Sequence, residues 1–193
     1  MEYISNTGCG DKGGRDSPSI MKDKNTIFGN MNNRNSLNKN LMSIYKLPLL
    51  YIKVNYPSDN AENNLTDKIL NEMDKLICDI YKENIELKLF TTNNSGPHIN
   101  MIIKDDPIKI KENLVFIEDN FLLARCVNMS VYENKTFKEV TRKDIGAKGR
   151  KCIICGEYEE VCQNEKRHTN EEYIRYINKT YIEYTSTIYD IMA

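Results

Sequence analysis

Four side chains near the C-terminus can act together: Cys152, Cys155, Cys162 and His168. Three thiolates and one imidazole complete a tetrahedral zinc shell, and the two-residue gap between Cys152 and Cys155 lets one turn present both sulfurs to one ion. The gap from Cys155 to Cys162 is shorter than in most zinc fingers, so the metal would close a compact loop onto the helix that follows. Two other readings of the same residues remain open. They are buried thiols in a small hairpin with His168 capping a helix, and a redox pair at Cys152/Cys155. The redox pair lacks the strand-then-helix setting of thioredoxin-like motifs. Cys9, Cys78 and Cys126 stand alone.

Cations crowd this cluster: Arg142, Lys143, Lys148, Arg150, Lys151, Lys166 and Arg167. Arginine grips phosphate with two parallel bonds and lysine supplies a point charge. The segment therefore reads as a solvated loop, or as a site for a polyphosphate or an acidic partner protein. Upstream, Asn128 and Ser130 sit two apart on one face of a strand. Two aspartates at such positions would hold Mg²⁺, because hard carboxylate oxygens suit that ion. Asparagine and serine offer neutral oxygens instead.

The elements that position these groups are legible from periodicity. Leu37, Leu41, Met42 and Tyr45 have helical spacing, ended by Pro48. Leu49–Tyr56 alternates as a strand, with Leu50, Ile52 and Val54 on one side and Tyr51, Lys53 and Asn55 on the other. Leu65, Ile69, Met73, Leu76, Ile77 and Ile80 stripe a helix over 64–83. Ile85, Leu87 and Leu89 predict a second strand, Asn93–Pro97 a turn, and Ile99, Met101 and Ile103 a third strand. Asp106 followed by Pro107 caps a helix carried by Ile110, Leu114, Ile117 and Phe121. Residues 124–132 predict a fourth strand, and Phe137–Thr141 a returning hairpin arm. Thr169 and Glu172 form a capping box that opens a last helix, to about Tyr184.

Strand, helix, strand, strand, helix, strand is the order of a ferredoxin-like split β-α-β sheet. The expected class is α+β, with both helices on one face of an antiparallel or mixed sheet and a C-terminal Cys/His loop and helix appended. The other face then carries Lys53, Asn55, His98, Asn100, Asn128 and Ser130. That set is either a solvated surface or a substrate-binding floor.

The chain has 193 residues, with Lys plus Arg 27 against Asp plus Glu 28. A formal charge of -1 excludes a strongly basic nucleic-acid coat, and no stacking aromatic array argues for nucleic acid. No apolar run is long enough for a membrane span, and the start lacks the basic-then-apolar pattern of a secretory signal. A cytoplasmic protein with no nucleic-acid or membrane partner is expected. Residues 1–30 are glycine-rich and aperiodic and read as a loose N-terminal arm. The core is expected over 31–141, and the basic Cys/His loop with its helix over 142–193.

The motifs Ser95-Gly96-Pro97, Asp106-Pro107, Ala124-Arg125, Thr141-Arg142-Lys143-Asp144-Ile145-Gly146, Arg150-Lys151-Cys152-Ile153-Ile154-Cys155, Val161-Cys162 and His168 resemble the citrate lyase holo-acyl-carrier-protein synthase family, or apo-citrate lyase phosphoribosyl-dephospho-CoA transferases. The likeness runs from about residue 28 to about 185, and its C-terminal stretch is the most specific part. It implies a nucleotidyltransferase that moves a triphosphoribosyl-dephospho-CoA precursor onto a serine of the citrate lyase acyl carrier subunit. Pyrophosphate would be released, with Mg²⁺ as the expected ion. It points to Arg34, Asn55, Gly96, Arg125, Arg142 and Arg150 for substrate, and to Asn128 and Ser130 as the floor where that ion would sit. The family's acidic and lysine positions are changed here. Asn32-Asn33 precede Arg34, Ser58 and Ala61 follow Pro57, His98 follows Pro97, Asn164 replaces an arginine, and Asn128-x-Ser130 stands for D-x-D. A catalytically impaired relative that still binds the carrier subunit or the CoA-like precursor is the alternative.

Overall fold

The computed structural model describes residues 34–57, 64–93 and 96–192. The arm expected over residues 1–30 and the turn residues Asn94 and Ser95 lie outside the described residues. Helix α1 spans Arg34–Tyr45, strand β1 Leu49–Val54, α2 Asn64–Tyr81, β2 Ile85–Asn93, β3 Gly96–Ile103 and α3 Pro107–Asn120. Strands β4 (Val127–Tyr132) and β5 (Glu139–Val140) follow, then the short α4 (Glu159–Asn164) and the long α5 (Asn170–Met192).

The sheet has five strands in the order β2-β3-β1-β4-β5, and every neighbouring pair is antiparallel. Its first four strands keep the ferredoxin-like order, and β5 adds a short edge through Val131↔Val140 and Tyr132↔Glu139. Alternation sorts the faces as expected. Leu50, Ile52, Val54, Ile99, Met101, Val127, Met129 and Val131 form one core with Ile69, Met73 and Ile77 of α2 and Ile110 and Leu114 of α3.

The two crossover helices share that face, but the opposite face is not left bare. Leu37, Leu41 and Met42 of α1 pack there on Leu49, Tyr51, Leu89 and Ile102. The expectation of both crossover helices on one face therefore holds for α2 and α3, and α1 adds a third helix on the other face. Its apolar residues recur every three to four positions, and this lower half of the second face supplies the matching surface.

Several boundaries also differ from expectation, with β1 ending at Val54 instead of Tyr56 and α2 at Tyr81 instead of residue 83. The fourth strand begins at Val127, because Leu123–Cys126 turns as a 3-10 helix in which Cys126 offers its carbonyl to the Asn55 N–H at 2.8 Å. Helix α5 runs past Tyr184, since Thr185, Ser186 and Thr187 return their hydroxyls to carbonyls of the preceding turn instead of breaking it. The cap of α3 is as expected, with Asp106 accepting from the N–H groups of Ile108 and Lys109. So is the capping box, in which Thr169 and Glu172 exchange bonds of 2.8 and 3.3 Å.

Candidate functional site

The Cys/His group is assembled by a knuckle and a helix entrance. The Cys152 N–H donates to the Glu157 carbonyl at 2.6 Å, and the Gly156 N–H returns to the Cys152 carbonyl at 3.0 Å. Gly156 has φ +76, which glycine adopts without strain, so the turn closes tightly enough to aim both Cys152 and Cys155 inward. Cys162 comes from α4, and His168 stands just before the capping box of α5. Ligand atoms of all four residues lie within 4.8 Å of one another. The Cys155 and Cys162 sulfurs are 3.4 Å apart, and His168 Nε2 is 3.3 Å from Cys155 Sγ. A tetrahedral ion with bonds of about 2.3 Å to sulfur has edges of about 3.8 Å, so these four groups fit one such metal with little movement.

The surroundings support that use. The Glu157 N–H above all, then His168 and Cys162, bring the Cys155 thiol down to about 6. Burial, then the two neighbouring thiols, push Cys162 up to about 12. Crowded thiols that cannot all ionise are the condition a cation relieves. The second nitrogen of His168, Nδ1, faces Glu172 at 3.9 Å, so a carboxylate stands behind the imidazole.

The cations expected to meet substrate divide into two kinds. Arg142 is engaged by protein carboxylates, with Nη2 at 2.6 Å from Glu118 and 3.0 Å from Asp119. Arg150 donates from Nη2 to the carbonyls of Arg125 at 2.9 Å and Val127 at 2.8 Å, and its Nε lies 3.5 Å from Glu159. Arg125 has no side-chain hydrogen bond or ion pair among the described residues and lines an open cavity with Lys148. Arg34 opens α1, and its side chain lies outside the described set. Gly96 has φ +94 and begins β3 at the hairpin turn, so its identity answers to backbone geometry. Asn55 is half-buried at the end of β1, where its N–H bonds Cys126.

Lys111 and Glu118 were not foreseen. Both are buried on α3, and Lys111 donates to the Met129 carbonyl at 3.3 Å. Burial holds its ammonium below the ordinary value, while Glu118 and Glu139 oppose the shift. The available signal was their spacing with Leu114, which puts all three on one stripe of the helix.

On the second face, the register places Thr91, His98, Lys53 and Asn128 in one row and Leu89, Asn100, Tyr51 and Ser130 in the next. The structure brings Asn128 and Ser130 to one side of β4 as expected, but unequally. Asn128 is exposed, whereas Ser130, His98 and Asn100 are buried. His98 Nδ1 faces the Gly96 carbonyl at 3.2 Å, which can only accept, so in the neutral ring Nε2 accepts from the Thr91 hydroxyl at 2.7 Å. That nitrogen is committed and is not offered as a base. Neither row contains a carboxylate, and the acceptors Asn38 Oδ1 and Asn100 Oδ1 have no donor among the described residues. A donor set of neutral, mostly buried oxygens does not fit a protein-held Mg²⁺.

No described helix is long and apolar enough to cross a membrane. A family model described as apo-citrate lyase phosphoribosyl-dephospho-CoA transferase matches residues 23–184. A curated relative, Protein CitXG of Leuconostoc mesenteroides subsp. cremoris, is 23% identical over 158 residues, 79% of this chain. The aligned part spans 33% of that relative's length.

Proposed function

The chain belongs to the apo-citrate lyase phosphoribosyl-dephospho-CoA transferase family, and on that premise we propose that it transfers the phosphoribosyl-dephospho-CoA group of a triphosphate precursor to a serine of the citrate lyase acyl carrier subunit. In that reaction the serine oxygen forms a new bond to phosphorus as the bond to pyrophosphate breaks, and the serine proton passes to solvent. The observation that supports this reading is the polar row at the upper end of the second face. Within it Asn128 is exposed beside the half-buried Lys53, while Thr91 and His98 are buried. Asn55 and Arg125 flank the same strand ends and are assigned to substrate positioning. Asn128 and Ser130 contribute neutral hydrogen-bonding oxygens, so charge neutralisation falls to cations and to Mg²⁺ carried by the substrate phosphates.

The Cys/His group is read as a structural zinc site. It joins the basic loop to α5, and a shell with no open position suits a structural ion. The reading implies a cytoplasmic protein.

A second reading is favoured by the missing carboxylates. The fold then binds the carrier subunit or the CoA-like precursor without transferring the group. Incubating apo carrier subunit with this chain, Mg²⁺ and the triphosphate precursor decides between them by intact mass. A gain equal to the prosthetic group supports transfer. No gain beside an active family member, together with retained carrier binding, supports the second reading.

A further inference from the structure

A cavity of about 320 Å³ lies between the end of α3, the Leu123–Cys126 turn and the segment leading into the Cys/His knuckle. Its wall carries cations and carboxylates, and their pairing decides its sign. Both carboxylates, Glu118 and Asp119, are taken by Arg142. Arg150 is held by two backbone carbonyls and Glu159. Arg125 and Lys148 have no side-chain partner among the described residues. The Lys151 Nζ rests 3.6 Å above the Tyr158 ring. Arg142 balances only one of its two carboxylates, so the positive charges of Arg125, Lys148 and Lys151 outnumber the one left over, and the lining stays net positive.

The wall is also fixed in advance. Arg142 Nη1 holds the Lys148 carbonyl at 3.3 Å, and Arg150 anchors the segment to β4. Gly149 admits the Tyr158 ring, because a Cβ there would meet that ring at 3.1 Å. Cys152, one residue past Lys151, is a ligand of the Cys/His group. Fixed, concentrated positive charge in a concave wall without a stacking array suits a compact polyanion better than a nucleic-acid strand.

We propose that this cavity is a diphosphate subsite in which Arg125 and Lys148 contact the ligand. The proposal deepens the transferase reading, on which the ligand would be the diphosphate part of the substrate or the released pyrophosphate. Val127, whose carbonyl Arg150 holds, immediately precedes Asn128 in β4.

Isothermal titration of the full, metal-loaded chain with inorganic pyrophosphate, orthophosphate and ADP tests it without any transfer step. Pyrophosphate binding is expected to be tighter than orthophosphate binding and to weaken as salt is added. Arg125→Gln and Lys148→Gln should each weaken it about tenfold. Lys143→Gln, an exposed loop cation outside the cavity, should leave it unchanged. ADP binding more tightly than pyrophosphate would mark a nucleotide-borne diphosphate, and the reverse the free ion; both uphold the subsite. No pyrophosphate binding by a folded chain, or binding that falls equally with Lys143→Gln, overturns it. Because transfer is not measured, a transfer-negative chain that still binds pyrophosphate refutes the transferase reading and leaves the subsite standing.

Discussion

Arg150 donates from Nη2 to the Val127 carbonyl at 2.8 Å, tying the segment that enters the Cys/His knuckle to the edge of β4. A second bond from the same nitrogen reaches the Arg125 carbonyl at 2.9 Å. Truncating the side chain would leave both carbonyls without this donor. Arg150→Ala should lower unfolding free energy by about 2 kcal/mol. Arg150→Lys should recover only part, since an ammonium lacks the planar fork. Urea denaturation of the three proteins checks this, and a loss below about 0.5 kcal/mol in the alanine variant would mean that the clamp contributes little.

The Cys/His group predicts metal content. Protein purified without chelator should carry about one zinc per chain by elemental analysis, and Cys155→Ser or His168→Ala should reduce that sharply. Chelation should lower the melting temperature of the wild type and leave that of Cys155→Ser nearly unmoved. Zinc below about 0.2 equivalents in wild-type protein would remove the structural-metal reading.

The two floor positions should respond differently to a restored carboxylate. Asn128 is exposed, so Asn128→Asp should change stability by less than about 0.5 kcal/mol. Ser130 is 3% exposed, and Ser130→Asp should cost about 3 kcal/mol through burial of an unpaired charge. Equal tolerance of both substitutions in thermal melts would show that α1 does not seal that half of the face.

Alkaline pH should loosen the junction of α5 with α2. Tyr184 donates to Glu72 at 3.0 Å, and burial, followed by that bond, pushes its phenol up to about 12. The ordinary phenol value is 10.0. The folded state thus keeps a proton that the unfolded chain has released, so this stabilisation is complete below pH 10 and is lost as the pH approaches 12. Tyr184→Phe should flatten the decline in stability over that window, measured by denaturation at successive pH values. An unchanged slope would place the alkaline sensitivity elsewhere.

The strands were legible because period-two alternation is local: Leu50, Ile52 and Val54 declare a face from six residues of sequence. The Cys/His group was legible for the same reason, since its ligands span a short stretch and their types are distinctive. The packing of α1 was not. Leu37, Leu41 and Met42 announce that the helix has an apolar side, but nothing local says which sheet face receives it. Arg142 and Arg150 were visible as cations, yet their partners Glu118 and Val127 come from other elements, so structural clamps and ligand-facing groups looked alike. Lys111 and Glu118 occupy core positions of a helix that reads as amphipathic, and a charge at such a position is recognised as buried only when its partner is seen.

Strand β5 pairs with only two residues of β4, at Val131 and Tyr132. Farther along β4, the Met129 and Val127 carbonyls are capped by the side chains of Lys111 and Arg150. A side-chain cap can be withdrawn in a way that a paired strand cannot. Oxidation of the cysteine cluster would free the segment carrying Arg150 and leave a bare length of β-edge, the template on which a strand from another copy adds. The shelf life of the protein in air should therefore track the redox state of the thiols that organise the basic loop.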